Sequence, residues 1–187
     1  MEKETHLTPQ QSLALITEVI SQTRENIKSY SFVFLLWGWT LATASILRFI
    51  LQTQTSFKLY FIPFPILAGI AVLVTIFYHR RKITETYLDN FLKKLWMVLA
   101  LGFVSIVFVS VYQHIEPITF TLVLAAIGTC VSGLILKFRP LVLGSICFFA
   151  AAISCVFVTS EYQVLINGIA IIFGYLIPGY LLKSSKE

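Results

Sequence analysis

Three groups of residues in this chain have types and spacing that could do chemistry. His114, Glu116 and Glu161 fall in two short polar breaks between apolar runs, and two carboxylates with an imidazole can hold a divalent cation. The simpler reading is that charged residues terminate spans there, and no metal site is expected. Cys130, Cys147 and Cys155 all sit inside apolar runs, where a thiol behaves as a small hydrophobe. Their spacing fits no zinc motif. His6, His79 and His114 lie outside the apolar runs, so none is placed to ligate a haem within a helical bundle.

The motifs of membrane enzymes are missing. There is no H-E-x-x-H, no glycine-flanked serine with a histidine on a neighbouring span, and no phosphate-binding or dinucleotide fingerprint. All nine carboxylates fall in loops or termini, whereas ion-coupled transporters place ionisable groups within their spans. The chain reads as non-enzymatic, with no cofactor and no catalytic residues. Thr129, Asn167 and Tyr175, polar groups within apolar runs, read as interhelical hydrogen-bonding residues.

What must position these residues is a set of membrane-length helices. With 57% hydrophobic and 12% charged residues and a mean hydropathy of +0.84, the 187-residue chain departs from soluble-domain composition, in which about a quarter of residues are charged. Apolar runs at 32–51, 59–78, 95–112, 118–136, 141–159 and 164–182 predict an all-α, polytopic six-transmembrane-helix bundle, with residues 31–187 as the membrane domain. Pro63 and Pro65 fall in the first turns of the second run, and Gly168, Gly174, Pro178 and Gly179 predict a bend in the sixth. Gly128-x-x-x-Ser132 and Ala150-x-x-x-Ser154 predict close contact between the fourth and fifth helices. A P-x-x-x-G match between Pro65–Gly69 and Pro140–Gly144 raises an inverted repeat of two three-span halves.

Sidedness rests on the basic residues. Arg80, Arg81, Lys82, Lys93 and Lys94 crowd the loop between the second and third runs, and short loops rich in Lys and Arg stay in the cytoplasm. Counting crossings from that loop puts twelve Lys and Arg inside and two, Arg48 and Lys58, outside. This positive-inside pattern predicts both termini in the cytoplasm. Arg48, about a turn from the end of its run, is expected to snorkel outward. The net charge of +5 is spread over span ends rather than one module, so nucleic acid is not an expected partner.

Before the first span, Thr8-Pro9-Gln10-Gln11 has the form of a capping box and predicts a helix start. Leu13, Ile16, Ile20 and Ile27 then recur on one face, opposite Glu18, Gln22, Glu25 and Lys28, so residues 1–30 read as a cytoplasmic amphipathic helix. With no proline before the first apolar run, this helix is expected to pass into the first span. Its charges nearly cancel, which disfavours anionic lipid. Ile83, Tyr87 and Phe91 make a second apolar stripe on the same side. These seven residues are the expected contact surface for a protein partner or a second copy of the chain. The runner-up reading is a small transporter or channel for an uncharged or apolar solute.

The segment Ser12-Leu13-x-Leu15-Ile16-x-x-x-Ile20, leading into Leu36-Trp37-Gly38-Trp39, resembles the start of a group of small uncharacterised multi-spanning bacterial inner-membrane proteins. The resemblance covers about the first forty residues. It implies a bacterial cytoplasmic membrane location and no particular activity.

Overall fold

The computed structural model describes residues 9–54, 59–80 and 87–184, and side chains within 30–54, 59–78, 80 and 88–184. The described elements are helical: α1 (Pro9–Gln54), α2 (Pro63–Arg80), α3 (Tyr87–Tyr112), α4 (Ile118–Ile135), α5 (Arg139–Cys155) and α6 (Ser160–Ile171), continued through a π-helical turn, Ile172–Leu176, into α7 (Ile177–Ser184). Four stretches are long and apolar enough to cross a membrane: Tyr30–Gln54, Leu88–Tyr112, Ile118–Ile135 and Ser160–Ser184. Pro63–Tyr78 and Arg139–Cys155 are shorter apolar helices.

α1 starts at Pro9, the position after the threonine of the capping sequence, and runs unbroken for 46 residues. The residues before the first apolar run and the run itself are therefore one helix, as the lack of proline between them allows. The second run is shorter than its apolar length. Leu59–Ile62 forms turns, with Ile62 N donating to Leu59 O and Phe64 N to Phe61 O, and the regular helix begins only at Pro63. Pro63 and Pro65 have no amide hydrogen to extend the ladder upstream.

Contacts fix the packing order. α1 runs antiparallel to α2, with Phe32 stacked on Tyr78 and Trp37 Nε1 donating to Thr75 Oγ1 at 3.3 Å. On its other side α1 packs antiparallel to α6, the π turn and α7, through Asn167 against Ser45, Leu176 against Gly38 and Leu35 against Gly179. α5 packs on α6 and the π turn, α4 on α5, and α3 on α4. The core joins Phe34, Leu122, Ala126, Leu141, Phe148 and Tyr175. α2 and α3 flank it, and α3 leaves Leu101, Val104, Phe108 and Val111 exposed. In water that row would be a large unpaid apolar surface; in a bilayer it is an ordinary lipid-facing side.

The small residues of α4 meet a different neighbour from the one their spacing suggested. A Cβ on Gly128 would lie 2.5 Å from Leu99 Cδ1 of α3, and Trp96 Nε1 donates to Ser132 Oγ at 3.2 Å, so this face receives α3. The α4–α5 contact runs instead through Gly133, whose Cβ would meet Val142 N at 2.9 Å. Ala150 and Ser154 are exposed and line a shallow apolar groove of about 440 Å³ between α5 and α6. The two P-x-x-x-G glycines also differ: Gly69 has nothing within 4 Å of its Cβ position, whereas that of Gly144 is 3.0 Å from Gly174 O.

Two tight turns close the α3–α4 and α4–α5 corners in the same way. Ile115 N reaches Ser110 O and His114 N reaches Val111 O; Phe138 N reaches Gly133 O and Lys137 N reaches Leu134 O. These are Schellman pairs, which need a left-handed residue just past the helix end. His114 (φ 56°) and Lys137 (φ 52°) fill that position, where glycine has no Cβ to strain.

Candidate functional site

The alternation of helices gives the bundle two ends. At the basic end lie Arg80, Lys93, Lys94, Lys137, Arg139 and Lys183; at the glutamate end lie Glu116, Glu161 and the C-terminus of α1. A buried polar contact sits near each end, and a distorted helix joins them.

At the glutamate end, Arg48 does not snorkel outward. It is 4% exposed, and its Nη2 donates to both Glu116 carboxylate oxygens at 2.8 and 2.7 Å. Its guanidinium also lies 5.4 Å from the Tyr60 ring centroid. A cation in a span is tolerated when paired, and Glu116, immediately before Pro117 and α4, is the nearest charge the loop supplies. Of the three residues with metal-binding types, Glu116 is therefore engaged by Arg48, while His114 and Glu161 are exposed. Among the described residues no three His, Cys, Asp or Glu side chains gather as a metal would require. Cys130, Cys147 and Cys155 are free thiols.

At the basic end, the Tyr30 hydroxyl donates to Asp89 Oδ1, and Ser31 Oγ donates to the Gly179 carbonyl at 2.8 Å. Asp89 is 7% exposed and stands in the first turn of α3, where a carboxylate is favoured by the free amides of the helix N-terminus. The tie links α1 to both α3 and α7.

Between the ends, the sixth apolar run carries a π turn, Ile172–Leu176, where its glycines and proline cluster. Pro178 has no amide to offer the Gly174 carbonyl, and Ile177 N reaches back to Ile172 O, a five-residue step that absorbs the missing bond. Gly174 lies directly against the Phe148 ring. The turn also delivers Tyr175 into an aromatic cluster, 4.9 Å from Phe148, 5.9 Å from Phe34 and 6.5 Å from Trp96 between ring centroids. Asn167 bonds between helices as expected, its Nδ2 donating to Ser45 Oγ at 3.0 Å, whereas Thr129 Oγ1 bonds within its own helix, donating to Ala125 O one turn back at 2.7 Å.

The expected contact surface is only partly within view. Phe91 is 43% exposed and Tyr87 is the first residue of α3. Leu13, Ile16, Ile20 and Ile27 belong to α1, but their side chains lie outside the described residues, as do Ile83, Arg81 and Lys82. Arg80, Lys93 and Lys94 are exposed at the basic end.

Fold and site together define an all-helical protein with four membrane-length apolar helices, buried polar ties and no metal-binding cluster among the described residues. No protein-family model, curated protein or solved structure matches the chain.

Proposed function

We propose that this is a non-enzymatic, six-span protein of a bacterial cytoplasmic membrane that serves as an interaction, scaffold or regulatory subunit. Its working surface is a cytoplasmic layer made of the first part of α1 and the basic loop. The observation that carries this reading is the unbroken length of α1. Its 46 residues extend about 69 Å at 1.5 Å per residue, more than twice the roughly 30 Å hydrocarbon thickness. Since the apolar span occupies Tyr30–Gln54, the part before it is an arm rigidly joined to the bundle. A partner that tilts this arm would load the Tyr30–Asp89 and Ser31–Gly179 ties directly.

The short helices α2 and α5 count as spans because their 18 and 17 residues reach about 26 to 27 Å, a deficit that local thinning of the bilayer accommodates at small cost. Basic residues at one end and carboxylates at the other support termini in the cytoplasm. On the arm, Glu18 and Glu25 balance Arg24 and Lys28, which favours a protein partner or second copy over an anionic membrane surface. Leu13, Ile16, Ile20 and Ile27, with Ile83, Tyr87 and Phe91, are its contact residues.

Deleting Met1–Lys28 tests this reading, with tryptic mapping for insertion and mild-detergent purification for partners and oligomeric state. The six spans should stay inserted while co-purification or self-association is lost. A second reading, a small transporter or channel for an uncharged or apolar solute, draws on the π turn at Ile172–Leu176, a feature frequent at functional sites. A truncated protein that keeps its partners and assembly but loses solute flux would replace the first reading with the second.

A further inference from the structure

Among the described residues, the side-chain atoms that are buried without a hydrogen-bond partner are Arg48 Nε, Gln52 Oε1 and Gln163 Oε1. All three belong to the glutamate end: Arg48 and Gln52 are in the last two turns of α1, and Gln163 is in the first turn of α6. Elsewhere the buried polar side chains reach partners, as Ser31, Asp89, Ser132 and Asn167 do. Among the described residues, the basic end is satisfied by its own chain and the glutamate end is not. Buried polar groups are as a rule satisfied by protein, ordered water or ligand, so these three call for an occupant.

Two of these groups, Gln163 and Arg48, are held in orientation by their partners. Gln163 Nε2 donates to Cys155 O at 2.9 Å and Val158 O at 3.3 Å. Rotating the amide would set its oxygen against two carbonyl oxygens, so Oε1 stays the free acceptor. Arg48 serves both Glu116 oxygens through Nη2 alone, which leaves its Nε–H unused. The arginine charge is already matched by Glu116, so a charged ligand would find no counter-ion.

We propose that the glutamate end of the bundle, between α1, α6, the turns of Leu59–Ile62 and the segment leading into α4, binds an uncharged molecule that both donates and accepts hydrogen bonds. Arg48 Nε donates to it, and Gln52 and Gln163 accept from it. Water and a small polyol or amide solute share this chemistry. The site goes beyond the interaction reading and stands without it, because it involves neither the arm nor the basic loop.

The test uses the full-length chain in proteoliposomes, with Cys130→Ser, Cys147→Ser and Cys155→Ala as background. Gln52→Cys and Gln163→Cys are treated with a cationic methanethiosulfonate reagent and compared with exposed positions at similar depth, Ile50→Cys and Ile153→Cys. Both glutamine positions should react at least ten times faster than these controls. Slowing of the reaction by molar glycerol or urea identifies a solute of that class, and reaction without slowing identifies water; either supports the site. Rates no greater than the controls overturn it. Should the cysteine variants fail to fold, Gln52→Met in the native background decides: removing an occupied acceptor lowers the melting temperature, whereas an unchanged or higher one means a dry, empty end and overturns the proposal.

Discussion

The two ends of the bundle solve the same problem differently. At the basic end, Tyr30, Asp89 and Ser31 tie α1 to α3 and α7 through hydrogen bonds within the chain. At the glutamate end, an ion pair, Arg48–Glu116, joins α1 to the start of α4, and two glutamine acceptors at the same end, Gln52 Oε1 and Gln163 Oε1, have no partner within the chain. Hydrogen bonds from neutral hydroxyls fasten one end, to a carboxylate and a carbonyl, and an ion pair fastens the other, so damage to the second should be more severe. Removing one member of a buried pair strands the other charge, at a cost of about 3 to 5 kcal/mol when both are buried.

Arg48→Ala is therefore expected to have the largest effect. It leaves Glu116, which is 26% exposed, with partial access to solvent, so a loss of about 2 to 4 kcal/mol is expected, read as reduced melting temperature and folded yield in mild detergent. At the other end, Tyr30→Phe removes one hydrogen bond to a buried carboxylate and should cost about 1 to 3 kcal/mol in the same assay. If Tyr30→Phe proves the more damaging, the ranking of the two ends is reversed.

The smallest effects should be the same at both ends. His114→Gly and Lys137→Gly relieve a left-handed residue in two turns of matching hydrogen-bond pattern. Each should change stability by at most about 1 kcal/mol, in the stabilising direction. Chemical denaturation of both variants checks this, and a stabilisation at one corner with a loss at the other would show that the side chains, not the backbone, govern these turns.

Much of the fold was legible because hydropathy reports directly on which segments avoid water, and the irregularity of the last run, a π turn, was legible in Gly174 and Pro178. Neighbour choice was not. Successive helical residues turn by about 100°, so Gly128 and Ser132 share one face and Gly133 looks elsewhere; spacing marks a close-packing face without naming what fills it. That is why the Gly128 face was assigned to α5 and turned out to receive α3. The Arg48–Glu116 pair was invisible for a related reason. Its members are 68 residues apart, and only the packing of α1 beside the start of α4 brings them together. The proline-shortened start of α2 could have been read, since two residues without amide hydrogens cannot carry a ladder back to Leu59.

The contrast between ends has a biological meaning only if the ends face opposite sides, which requires the short helices α2 and α5 to cross as well. Labelling intact cells with a membrane-impermeant maleimide, using His114→Cys, Glu161→Cys, Thr84→Cys and Lys137→Cys in a cysteine-free background, tests that claim most directly. The account predicts that His114→Cys and Glu161→Cys label from outside, whereas Thr84→Cys and Lys137→Cys label only after permeabilisation. Labelling of Thr84→Cys or Lys137→Cys in intact cells would contradict it, because the helix before or after that position would then fail to cross.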